Sequence, residues 1–208
     1  MTKMILLTVI AGSLAFCGAS GLATESDKPS LAWTKAYVGK DSTGLVWDGR
    51  FPLDVKAYFP HIPITLEEKP DTSVDTARNE MNIPNTVYMS NGWVLAAGCA
   101  AHACGLNVTL VLADTNPKSP SLMLAFAIQQ ANQGGHATPP VLMKLYIYSS
   151  GPLSILSDPQ VLTMISKGLQ DNFVGHIDQT LLATANGFSV VPTPNSLKLL
   201  PRKPSLLH

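Results

Sequence analysis

The spacing of apolar positions changes along the chain, and each change marks a different kind of element. Leu106, Val108, Leu110 and Leu112 alternate with Asn107, Thr109 and Val111. That period of two predicts a strand with one leucine-rich face. Asp114-Thr115-Asn116-Pro117-Lys118-Ser119-Pro120 follows, turn chemistry throughout, because Asp and Asn bond their own backbone and proline fixes φ. Leu122, Leu124, Phe126 and Ile128 then alternate with smaller residues, as in the returning strand of a hairpin. The Leu, Met, Ala and Gln content of residues 121–133 leaves a helix as the alternative, and Gly134-Gly135 ends either one.

The same logic extends in both directions. Thr86 to Ala97 is β-prone through Val87, Tyr88, Trp93 and Val94, with a turn or bulge at Asn91-Gly92. Val141 to Tyr148 reads as a further strand, broken by Ser149-Ser150-Gly151-Pro152. Asp158-Pro159 has the form of an N-cap with proline at the first helical position, and Val161, Leu162, Ile165, Leu169 and Phe173 recur at helical spacing. A shorter helix is predicted over Asp178 to Ala185, stopped by Asn186-Gly187. Scattered aromatics and prolines from Thr24 to Lys69 (Trp33, Trp47, Phe51, Pro60 and Pro63 among them) predict short elements or an arm packed on the main body. The polar stretch Asp71 to Asn82, with Asp75, Arg78 and Glu80, predicts a solvated short helix or a loop. The expected fold class is α+β, an antiparallel sheet with flanking helices and a protruding disulfide-closed loop. Residues 24–84 form the N-terminal arm or short elements, 85–191 the α+β core, and 192–208 a flexible tail rich in proline.

Composition adds a compartment. The 208 residues suit one domain of moderate size, and residues 1–23 combine Lys3, an apolar run from Met4 to Phe16 and small residues from Gly18 to Ala23. That is the pattern of a secretory signal peptide, which places the mature protein in the periplasm. Lipidation at Cys17 is the less suitable alternative, since Phe16 stands where such sites take a small side chain. No later stretch has the length of apolar sequence a membrane span needs. Removal of the leader takes away Lys3 and no acid, leaving a net charge of about −1, which argues against a nucleic-acid partner.

Candidate chemistry concentrates in Cys99-Ala100-Ala101-His102-Ala103-Cys104-Gly105, between two strand-like stretches. An even pair of cysteines in an exported chain is most simply a disulfide, here closing a short ring around His102. The open alternatives are a brace that only stiffens a strand connection and a zinc site using Cys99, His102, Cys104 and His136. The spacing fits neither common zinc sites nor the two-residue spacer of thioredoxin-like redox centres. His61, His136, His176 and His208 read as surface or helix-end residues, with His176 near the carbonyl end of its helix. The chain carries no nucleophile elbow, zincin motif, phosphate loop or dinucleotide fingerprint. Glu67-Glu68 beside Lys69 reads as a solvated loop. No enzyme activity, resident metal or cofactor is expected, although a hydrolase whose catalytic groups assemble only in space is an alternative.

The run from Val87 through Leu95, then CAAHACG, an alternating strand, a polar turn and a second alternating strand resembles the Ivy family of bacterial lysozyme inhibitors. That family carries a loop of the form CKPHDC followed by glycine and a β-hairpin. Cys99, His102, Cys104 and Gly105 match in order and spacing, while Ala100, Ala101 and Ala103 replace the family's lysine, proline and aspartate. The resemblance spans residues 85–129. It implies a periplasmic inhibitor whose loop inserts His102, flanked by Ala100, Ala101 and Ala103, into the cleft of a lysozyme-like or other cell-wall hydrolase. A homodimer and an immunity role are compatible with it. Two carboxyl groups about 5 Å apart, one protonated and one ionised, are what a retaining glycosidase offers to an imidazole that both donates and accepts.

Overall fold

The computed structural model describes residues 28–60, 73–131 and 141–200. The leader with Cys17, His61, Pro63, Glu67-Glu68, Gly134-Gly135, His136 and His208 lie outside the described residues.

The fold is α+β and dominated by one sheet. Its strands are β1 (Ile83–Pro84), β2 (Tyr88–Ser90), β3 (Trp93–Cys99), β4 (Asn107–Asp114), β5 (Ser121–Ala131), β6 (Val141–Ser149), β7 (Gln179–Thr184) and β8 (Gly187–Val191). The strand order is β1-β3-β4-β5-β6-β7-β8, with β2 sharing β1's edge of β3. Every pairing is antiparallel except β6 with β7, which is parallel. A parallel pair needs a crossover. Here it contains a 3-10 turn over Leu153–Ser157 and α4 (Pro159–Asp171), whose N-cap Asp158 accepts from the Gln160 amide.

Both faces of the sheet are covered. On one side Leu95, Ala97, Leu110, Leu112, Met123 and Leu145 pack with Val161, Met164, Ile165 and Leu169 of α4. On the other, Val94, Ala96, Val111, Leu124, Phe126 and Tyr148 meet α1 (Ser42–Trp47), α2 (Arg50–Tyr58) and α3 (Ser73–Glu80) through Leu45, Val46, Phe51, Val55 and Ala77. The aromatic-rich N-terminal segment is thus a helical layer, and α3 is only partly solvated, since Ala77 is fully buried. Double coverage also decides the ambiguous segment 121–131. As β5 it sends Met123, Ala125 and Ala127 to one core and Leu122, Leu124 and Phe126 to the other, while β4 and β6 both pair with it. Cross-strand bonding on two edges outweighs a difference in helix propensity.

Two expectations are corrected. Residues 178–185 are not a helix: they form β7, whose buried Thr180 and Leu182 alternate along the strand, and Asn186-Gly187 belongs to the β7–β8 hairpin. A segment that short gains little as an isolated helix, whereas the open edge of β6 offers it partners from Lys144↔Gln179 to Ile147↔Leu182. The tail is not loose over 192–200. It forms α5 (Asn195–Lys198) and buries Leu197 and Leu200, and the Ile177 amide donates to Leu197 O at 2.9 Å.

At Gly98 the chain crosses closely over the strand. A Cβ there would lie 2.9 Å from Ile83 O and closer still to Met81 Cγ, and Met81 is fully buried. Gly98→Ala should therefore lower unfolding free energy by about 1–3 kcal/mol through overpacking, read from urea denaturation. Stability equal to wild type would show that β1 yields without cost.

The N-terminal layer also holds two carboxylates of opposite character. Asp48 accepts from both Arg50 (Nε 2.9 Å, Nη2 2.7 Å) and the Tyr37 hydroxyl at 2.6 Å. Arg50 beside it, helped by Tyr37, holds its carboxyl well below the usual range. Asp54 is buried, with Trp33 Nε1 donating at 2.7 Å, and burial pushes its carboxyl up. A depressed acid stabilises above its unfolded value near 3.9 and loses that contribution as pH falls, whereas a raised acid stabilises most at low pH. Asp48→Asn should thus destabilise at pH 7, with the difference closing below about pH 4. Asp54→Asn should match or exceed wild type at pH 7 and fall behind it on acidification. Thermal melts across pH check both signs.

Candidate functional site

The loop begins at the buried end of β3. Every residue of β3 is buried, and Cys99, its last, is 1% exposed. Cys99 and Cys104 form a disulfide with Cα atoms 5.0 Å apart. The two sulfurs are bonded to each other, so neither is a free thiolate of the kind a zinc ion takes as ligand. Backbone bonds complete the frame. The Ala100 amide donates to Asn107 O at 3.3 Å across the base, the Ala103 amide to Ala100 O at 3.0 Å, and the amides of Leu106 and Asn107 both to Ala103 O at 2.8 and 2.9 Å. Ala103 acts through its main chain.

His102 sits at the tip with φ of 64°, exposed, beside exposed Ala101 and half-buried Ala100 and Ala103. Histidine is among the few non-glycine residues that visit the left-handed region, at a cost of roughly 1 kcal/mol. The imidazole bonds to nothing among the described residues, so its local contacts do not offset that strain. The ring closure and the Ala103 bonds impose it. Gly105, at φ of 87°, turns the chain into β4 and lies against the end of α4: a Cβ on it would stand 3.4 Å from Phe173 O.

The structure thus brings Cys99, Ala100, Ala101, His102, Ala103 and Cys104 into one projecting unit. His176 is not at a helix end: α4 stops at Asp171, and His176 Nε2 instead lies 3.3 Å from Asp178 Oδ2, which also accepts from the Met143 amide. Among the described residues no three His, Cys, Asp or Glu side chains converge as a metal site, and no helix is long and apolar enough to cross a membrane.

A concavity lies at the other end of the strands, roughly 23 Å from the loop by the rise along β4. This cleft of about 760 Å³ is lined by Trp93, Asp114, Ser121, Ser150 and Asp158 among others. Burial pushes the Asp114 carboxyl up, opposed by the Asn116 amide, which donates to it at 2.9 Å. Asp158 is accounted for by capping α4. The sequence hid this cleft because its walls come from β3, β4, β5 and the β6–α4 connection, which only pairing unites.

Comparison with protein-family models, with curated proteins and with solved structures gives no match to this chain. The molecule is, by its own architecture, an α+β sheet domain that presents a disulfide-closed loop from a β-hairpin.

The ring is testable apart from any partner. Closing so short a loop restricts the unfolded chain by roughly 2 kcal/mol. A Cys99→Ala, Cys104→Ala double variant should lose about that much unfolding free energy, and wild type should lose the same on adding reductant. Two reactive thiols in native Cys17→Ser protein would contradict the closed ring.

Proposed function

We propose that this chain is an exported protein that blocks a lysozyme-like or other peptidoglycan-cleaving hydrolase of the cell envelope by seating the 99–104 loop in its cleft. One observation carries the reading. His102 is exposed at a left-handed backbone position, without a hydrogen-bond partner among the described residues, on a covalently closed tip. Strain held at an exposed residue points to a role outside the fold's own packing. The neutral imidazole offers one donor and one acceptor, matched to a protonated and an ionised carboxyl of a glycosidase pair. Ala100, Ala101 and Ala103 keep the tip narrow. The likeness of CAAHACG to the Ivy-type loop and the signal-like residues 1–23 support the same target class and a periplasmic location. Such a protein protects its producer's wall by occlusion, without chemistry of its own.

A second reading draws on the burial of Cys99 in the core beneath α4, with Cys104 packed against it: an envelope structural protein in which the disulfide only braces the β3–β4 connection. The two readings separate on one substitution. Purified protein titrated against c-type lysozyme, muramidases and amidases should inhibit at least one, and His102→Ala should weaken that inhibition by about tenfold or more, with an unchanged circular dichroism spectrum. Full potency in the alanine variant would sink the histidine mechanism.

A further inference from the structure

Helix α4 ends in a Schellman arrangement that has the wrong residue for its own stability. The Phe173 amide donates to Gln170 O at 3.1 Å and the Val174 amide to Leu169 O at 3.0 Å. Buried Val174 and Leu169 supply the apolar contact that accompanies this motif. Phe173 occupies the left-handed position at φ of 65°, where helices usually place glycine because a Cβ crowds the backbone. Its ring gains nothing in return from burial, since the residue is 74% exposed. A large aromatic in a left-handed conformation and in water is doubly unfavourable for folding.

Its location supplies the reason. A Cβ on Gly105 would lie 3.7 Å from Phe173 Cβ, so the Phe173 turn and the base of the disulfide ring are in direct apposition. Leu106, next after Gly105, is 44% exposed. Gly105 therefore has two exposed apolar neighbours at the base of the ring that carries His102, Leu106 in sequence and Phe173 in space.

We infer that Phe173 is a second anchor of the same docking surface, resting on an apolar wall of the target's sugar-binding cleft while His102 reaches the carboxylates. The inference rests on the proposed function above. Clefts that hold pyranose rings present flat apolar surfaces to the sugar faces, and a phenyl ring offers a comparable flat face. A second copy of the chain is the less suitable occupant. Phe173 adjoins the ring itself, since a Cβ on Gly105 would stand 3.7 Å from Phe173 Cβ, so a cleft that received the loop would meet Phe173 as well.

The test compares wild type, Phe173→Gly, Phe173→Leu and His102→Ala against the same enzyme panel, together with thermal melts and light scattering. Phe173→Gly should melt about 2–4 °C higher than wild type, because glycine suits the position, yet inhibit at least tenfold more weakly. Phe173→Leu should fall between. Undiminished potency in Phe173→Gly, with His102→Ala weakened, removes Phe173 from the interface and leaves the histidine reading intact. Weakening only in Phe173→Gly keeps Phe173 and discards the histidine mechanism. A wild-type protein that inhibits nothing in the panel overturns both. A dimer that Phe173→Gly dissociates overturns the Phe173 inference alone, because the patch then serves self-association.

Discussion

The register of β3 against β4 is the constraint from which the remaining geometry follows. Trp93↔Asp114 at one end and Cys99↔Val108 at the other place one strand end in the polar cleft and the other at the loop. A slip by one residue would turn Leu95, Ala97, Leu110 and Leu112 away from α4 and carry Val94, Ala96 and Val111 with them. Because both faces are enclosed, every side chain of β3 resists that slip. The Asn91-Gly92 turn fixes the near end of β3, with φ of 46° and 88° as a two-residue hairpin of the primed type requires.

Rigidity at the sheet is what allows strain at the loop. His102, Gly105 and Phe173 all hold positive φ within one small region, and two of them are not glycine. Such conformations persist only where the surroundings over-determine them. Here the disulfide, the two bonds to Ala103 O and the end of α4 do so together. The loop is therefore held in one conformation by the fold itself. The Asp48–Arg50–Tyr37 cluster and the Trp33–Asp54 bond tie the segments of the N-terminal layer to one another.

Much of this frame was legible in the residues. The alternation around Leu110, the Asp-Thr-Asn-Pro turn, the Asp158-Pro159 cap and the paired cysteines each express a local rule strong enough to survive folding. Segment 178–185 was misread because Thr180 and Leu182 supply only a brief alternation, and its parallel partner β6 is distant in sequence. Phe173 was read as one more apolar position of α4. Its spacing from Leu169 suits that, yet the helix closes before it and turns the ring outward. A glycine at 173 would have signalled the cap; phenylalanine concealed it.

The sequence by itself determined the elements whose causes are local: strand alternation, turns, the helix start and a ring closed by neighbouring cysteines. Those depend on side chains a few residues apart, where propensity and spacing act directly. Only the tertiary structure decided that β5 is a strand, that β7 adds in parallel to β6, that residues 192–200 pack against the core, and that Phe173 stands against Gly105 at the base of the disulfide loop. Each of those is settled by long-range pairing or by which surface is left to cover. Such contacts join residues tens of positions apart, so they leave no periodic trace in the chain.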